Sequence, residues 1–161
     1  MNDKVYSVTF GGIGGQGILK ASEIAGWAAM FDGYHVKKSE VHGMAQRGGS
    51  VESHLRFGKR VYSPLIPPGG ADILVCFHPE EHERLKTFLK KNGVDLMPFL
   101  DQAGRVIENE RYLNTFLVGV LSAKLPIQES AWMQAIETVF RKDLVPENKK
   151  VFLAGRKIGQ S

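Results

Sequence analysis

The feature that most constrains the fold lies between residues 5 and 39. A short apolar, β-branched run over 5–10 stops abruptly at Gly11-Gly12. Gly12-Ile13-Gly14-Gly15-Gln16-Gly17 then carries the spacing G-x-G-x-x-G. Ile18, Ala21, Ala25 and Ala28 recur at helical spacing as far as Asp32-Gly33, which predicts a helix over 14–30. A second strand is predicted over 34–39. Strand, glycine turn, helix and strand make one right-handed, Rossmann-like βαβ unit, and its two strands need a sheet covered by helices.

The remaining sequence supplies those partners. A polar, glycine-rich loop is expected over 40–49. Val51, Ser53, Leu55 and Phe57 alternate with Glu52, His54 and Arg56, the period of a half-buried strand that is antiparallel or at an edge. Prolines brace a loop over 63–70, and residues 73–77 form an apolar run that suits a central strand. Pro79 opens a predicted helix with Glu80, Glu81 and Glu83 at its start and Lys86, Lys90 and Lys91 towards its end. That order suits the helix dipole, and Asn92-Gly93 would cap it. A strand is expected at 105–107 and helices at 115–124, 129–142 and 148–157. Trp132, Ile136, Val139 and Phe140 share one face of the second of these helices. With 161 residues and no linker or repeat, the expected fold is α/β: a single three-layer domain over 1–161, with a largely parallel or mixed sheet and helices on both faces.

Several function classes are disfavoured. No stretch approaches the roughly 18 uninterrupted apolar residues of a membrane helix. No cleavable signal is read before the first strand, so a cytoplasmic chain is expected, with no membrane partner. The lone Cys76 can form neither an internal disulfide nor a cysteine-ligated iron–sulfur cluster within the chain. The net charge of +4 is spread along the sequence, the basic runs being pairs such as Lys37-Lys38 and Lys149-Lys150. It lacks the clustering and interleaved aromatics of a nucleic-acid binder. His54, His78 and His82 have no metal-ligand spacing, so no metal site is expected. Cys76, in an apolar run, reads as an inert core residue.

Two loops carry the candidate site. In the first, glycines let the backbone approach an anion at the unpaired amides of a helix start, or serve close helix–strand packing. Glu40 is the candidate acid for a ribose, which leaves open an independent dinucleotide-binding, Rossmann-like oxidoreductase. The second loop is Ser39-Glu40-Val41-His42-Gly43-Met44-Ala45-Gln46-Arg47-Gly48-Gly49-Ser50. Following the second strand, it should meet the first loop at the carboxyl edge of the sheet. There His42, Gln46 and Arg47 would join paired glycines, a set suited to phosphate or carboxylate. His42 could equally hydrogen-bond its own turn, and Met44 suits a partner contact.

Together these stretches resemble the gamma-type subunit of 2-oxoacid:ferredoxin oxidoreductases. The form His-Gly-Met-Ala-Gln-Arg-Gly-Gly is most like the beta subunit of indolepyruvate oxidoreductases. Residues 62–67 and 71–74 also match the family pattern, with 114–125 and 152–155 matching more loosely. The stretch between Lys91 and Glu110 reads as shorter than in that family. The resemblance implies a complex that oxidatively decarboxylates a 2-oxoacid, with coenzyme A as acyl acceptor and ferredoxin as electron acceptor. Thiamine diphosphate, magnesium and the iron–sulfur clusters would belong to catalytic partner subunits, with no cofactor held by this chain alone. It assigns the chain no catalytic residue. The candidate contacts are Gly12, Gly14, Gly15, Gln16, Gly17, His42, Gln46, Arg47, Gly48 and Gly49.

Overall fold

Strand β1 (Tyr6–Ile13) is the middle strand of a five-stranded sheet in the structure, a computed structural model that describes residues 2–42 and 48–161. The other strands are β2 (His35–His42), β3 (Ser50–Gly58), β4 (Ala71–Cys76) and β5 (Leu89–Asp95). They lie in the order β2-β3-β1-β4-β5. β4 runs parallel to β1 and β5 parallel to β4, while β3 is antiparallel to both β1 and β2. The sheet is therefore mixed. The helices are α1 (Ile18–Phe31), the single turn α2 (His82–Leu85), α3 (Phe99–Val106), α4 (Leu113–Ser122), α5 (Glu129–Val139) and α6 (Val145–Gln160).

Alternation along the strands sorts residues to two unequal faces. Val8, Phe10, Leu55, Phe57, Ile73 and Val75 face α1, which packs with α4, α5 and α6 around Trp132 and Phe152. The opposite face is covered by α2, its flanking 3-10 turns Pro79–Glu81 and Lys86–Phe88, and the segment before β4. Leu74, Cys76 and Leu85 form a small apolar cluster there. Helices thus occupy both faces, but only one face carries long ones.

Beyond the later start of α1 at Ile18 instead of Gly14, where Gly15 and Gly17 hold left-handed backbone, four expectations change. β1 continues through Gly11, Gly12 and Ile13. A Cβ at Gly12 would lie 2.6 Å from Gln16 Oε1 and 2.8 Å from Phe77 Cβ, so this glycine permits close packing beside the strand. β2 continues through Glu40 and His42 instead of turning at Ser39. β3 is an interior strand, not an edge, so β1 and β2 are not neighbours. Its alternating polar residues are covered: Glu52 and His54 are both buried.

The fourth change concerns residues 79–107. The helix opened by Pro79 ends by Phe88, because the free edge of β4 recruits Leu89–Asp95 as a parallel strand. Lys90 and Lys91 are strand residues, and Asn92-Gly93 fall in a register shift between Ala71 and Ile73 instead of capping a helix. Residues 105–106 end α3, whose Phe99, Leu100 and Ala103 meet the core at helical spacing. The late helices agree with the sequence reading, α6 beginning earlier at Val145.

The candidate site at the glycine loops

The two glycine loops meet at the carboxyl end of β1. The Gly14 amide donates to the Gly49 carbonyl at 2.9 Å. Gln16 stitches the first loop to β4: its Oε1 accepts from the Ile13 amide at 2.9 Å, and its Nε2 donates to the Phe77 carbonyl at 3.0 Å. Gln16 is thereby a positioning residue whose amide is already bonded within the chain.

Each glycine in the fingerprint has a separate reason. Gly15 (φ 96°) and Gly17 (φ 82°) adopt left-handed backbone, which a side chain would strain. Gly17 also abuts Asn114 at the start of α4, where a Cβ would meet Asn114 Nδ2 at 2.5 Å. Gly48 is left-handed as well, at φ 68°. Gly14 is different: its φ is ordinary, and among the described residues an added Cβ would meet only Gly49 O at 3.7 Å, Val51 Cγ2 at 3.8 Å and Gly48 N at 4.0 Å.

Two cavities flank this junction. One, about 460 Å³, is lined by Gly14, Gly15, Gly17, the first turn of α1, His42 and residues 49–51. The first-turn amides of Ile18, Leu19 and Lys20 find no acceptor among the described residues, as at any helix start. The other, about 780 Å³, lies across the first loop, between Phe77, His78, α3 and the start of α4. The chain leaves β1 towards β2 on one side and β4 towards β5 on the other. The junction is therefore a topological switch point, where open α/β sheets leave a crevice.

The structure brings Gly12, Gly14, Gly15, Gln16, Gly17, His42, Gly48 and Gly49 to this junction. Gln46 and Arg47 lie outside the described residues, as does Met44. The dinucleotide alternative loses its geometry. With β3 between β1 and β2, Glu40 is a full strand further from the first loop than in a Rossmann unit, and its carboxylate sits 3.4 Å from Lys38 Nζ. No cluster of three metal-capable side chains occurs among the described residues. Burial pushes the Cys76 thiol above its usual pKa, in keeping with an unreactive core residue.

Sequence reasoning missed two groups that support the junction. Asn114 presses on Gly17, and next to it Thr115 Oγ1 donates to Asn148 Oδ1 at 2.7 Å inside the helical layer. The available signal was polar residues in an otherwise apolar helix. On the other face, His54 Nε2 lies 2.6 Å from Glu52 Oε2, and Thr9 Oγ1 lies 3.0 Å from His54 Nδ1. Arg84 joins Glu52 at 2.5 Å to Glu81 at 2.8 Å. Ser50, next to this network at the start of β3, lines the smaller cavity. Hydrogen bonds from His54 and then Arg84 hold the Glu52 carboxyl below the usual range, against the upward push of burial.

With the sheet order and the joined loops in place, comparison with known proteins decides the family. The model of the pyruvate ferredoxin/flavodoxin oxidoreductase family matches residues 7–99, which hold both glycine loops and, but for Tyr6, all five strands. The chain belongs to this family. The indolepyruvate oxidoreductase subunit IorB of Thermococcus kodakarensis is 48% identical over 91 residues, 56% of this chain and 45% of that protein. IorB of Methanothermobacter thermautotrophicus is 50% identical over 111 residues, covering 69% of this chain and 50% of the relative. The chain spans about half the length of the curated relatives it matches. Among solved structures, the gamma subunit of a keto/oxoacid ferredoxin oxidoreductase from Geobacter sulfurreducens superposes with a TM-score of 0.80 at 22% identity, over 97% of each chain. A 2-oxoglutarate:ferredoxin oxidoreductase from Magnetococcus marinus gives 0.81 at 17% identity, covering 99% of this chain and 32% of that one. These two share the oxidoreductase family fold with this chain. Among the described residues no helix is long and apolar enough to cross a membrane.

Proposed function

We propose that the chain is the non-catalytic, gamma-type subunit of a 2-oxoacid:ferredoxin oxidoreductase, acting on indolepyruvate or a related arylpyruvate. Residues 1–161 would form one domain of this type. The observation that carries the reading is the bonded pair of glycine loops at the switch point, inside the segment that matches the family. Thiamine diphosphate with magnesium, and the clusters that pass electrons to ferredoxin, fit partner subunits better than this chain. Among its described residues no metal-capable cluster exists, and its one cysteine is buried.

The chain's own contribution would be a rim. The loops present backbone amides and little side-chain bulk, so a partner backbone or the anionic part of coenzyme A can come close. Gly12, Gly14, Gly15, Gln16, Gly17, His42, Gln46, Arg47, Gly48 and Gly49 are the residues assigned to that contact. Gly12 and Gln16 would act through loop position, and Gly14 through direct approach. At Gly15 and Gly48 no atom of the described chain lies within 4 Å of an added Cβ. Their left-handed backbone is sufficient reason for glycine there, so neither cleanly tests a contact.

Gly14→Ala separates folding from assembly. Among the described residues its methyl meets only ordinary van der Waals neighbours, so the change in stability should stay within about 0.5 kcal/mol. Co-purification with the catalytic subunits should nevertheless fall several-fold, read from subunit ratios after tandem affinity purification. Wild-type recovery of the complex would remove Gly14 from the interface. The purified chain alone should show no 2-oxoacid oxidation and no visible cluster absorbance. Turnover of indolepyruvate by this chain without partners would overturn the assignment of catalysis elsewhere.

A further inference from the structure

The two edges of the sheet are not alike. Both carry a lysine pair, but β5 is shifted in register against β4, an irregularity of the kind that discourages pairing. β2 pairs with β3 without interruption for eight residues, from His35↔Gly58 to His42↔Val51. Its other edge meets no backbone partner among the described residues. Val41, Tyr62 and Leu65, three of the exposed large apolar residues, lie on β2 or the segment beside it. That segment is tied to β2 by Lys37 Nζ donating to Tyr62 O and Ser39 Oγ donating to Pro64 O.

The sequence of this edge, His35-Val36-Lys37-Lys38-Ser39-Glu40-Val41-His42, is complementary to itself when the axis falls at Ser39. Two copies related by a two-fold axis perpendicular to the sheet keep the same face up. Paired positions must then have an even sum. With the axis at Ser39, Lys38 of each copy stands opposite Glu40 of the other, and Lys37 opposite Val41. Centring on Lys37 or Lys38 sets lysine against lysine, and centring on Glu40 sets glutamate against glutamate. Opposite charges directly across an antiparallel pair stabilise it and like charges destabilise it. Lys38 and Glu40 already share one face, 3.4 Å apart within the chain, so the dimer would extend that pair into a four-charge ladder.

We infer that β2 is the dimerisation edge of this chain. A second copy pairs antiparallel with it about Ser39, joining two five-stranded sheets into one of ten strands. This contact lies on β2, apart from the glycine-loop amides assigned to the partner subunit; it shares only His42, at the end of β2, with the residues of that assignment and does not depend on it.

Ser39→Cys tests the register. Cα atoms directly opposite in an antiparallel pair are about 4.5–5.5 Å apart, within the range that a disulfide spans. The native Cys76 is buried and gives no background. In the full-length chain, S39C should form a covalent dimer under mild oxidation, while the control K37C should not. Light scattering should show a dimer for the wild type. Glu40→Lys should weaken it by about tenfold, which is about 1.4 kcal/mol. The swap K38E/E40K should restore it, and the melting transition of each variant reports the monomer fold. A monomer at high micromolar concentration overturns the inference. So does a dimer that S39C fails to cross-link or that the charge swap leaves weakened, since it must use another surface.

Discussion

Gly155→Ala should lower the stability of the chain by about 3 kcal/mol. The reason is that α4 and α6 touch backbone to backbone. A Cβ at Gly155 would fall on the Phe116 carbonyl oxygen and lie 3.1 Å from the Phe116 carbonyl carbon. The contact is reciprocal: a Cβ at Gly119 would fall on the Phe152 carbonyl oxygen and lie 2.9 Å from the Arg156 amide. None of these neighbours is a flexible side chain, so the helices must move apart and loosen the core around Trp132 and Phe152. At about 2–4 °C per kcal/mol for a chain of this size, the loss should appear as a fall in Tm of roughly 6–12 °C. Gly104→Ala is the internal control. Gly104 is in α3 with ordinary φ and open space around the added Cβ. There the methyl should raise stability by about 0.5–1 kcal/mol through helix propensity. If both variants shift Tm by the same small amount, the close crossing is wrong.

The second large effect belongs to Glu52. Glu52→Ala should destabilise by about 3 kcal/mol, because it strands a buried His54 and removes a partner of Arg84. The Glu52 side chain is only 10% exposed, so water compensates little. Its folded-state pKa is depressed below the unfolded value near 4.5. The stabilisation it contributes is therefore present above that value and disappears as pH falls through the lower folded-state pKa. Glu81, depressed by Arg84, adds in the same direction. Urea titrations of wild type and Glu52→Ala should show a large difference at pH 7 that shrinks below about pH 4. A difference that is constant with pH would mean the loss is packing alone.

Much of this protein was readable where local rules act. Alternation in 51–57 pointed to a strand either antiparallel or at an edge, and the antiparallel alternative is the one observed. The glycine-rich turn before Ile18 identified the carboxyl edge of β1 as the place to look, and the joining of Gly14 to Gly49 bears out the expected meeting of the two loops. The helix carrying Trp132 was legible from apolar spacing. Each of these signals depends on residues within a few positions of one another.

Other features depended on which distant segment supplies a partner. Period two places Glu52, His54 and Arg56 on one face, but not whether that face meets water. The segment 77–88 covers it, so polar residues become a buried network. Lys90 to Gly93 look like the end of a helix, yet the unpaired edge of β4 offers backbone hydrogen bonds that outweigh a few tenths of a kcal/mol from helical charge pairs. Inserting β3 between β1 and β2 moved Glu40 from a ribose site to an outer strand. The sequence by itself determined strand and helix character outside 89–95 and 105–107, and the meeting of the loops, through φ preference and apolar periodicity. Strand neighbours, the burial of the polar face and the crossing of α4 on α6 were decided by the tertiary structure, because backbone partners and close contacts are chosen among segments tens of residues apart.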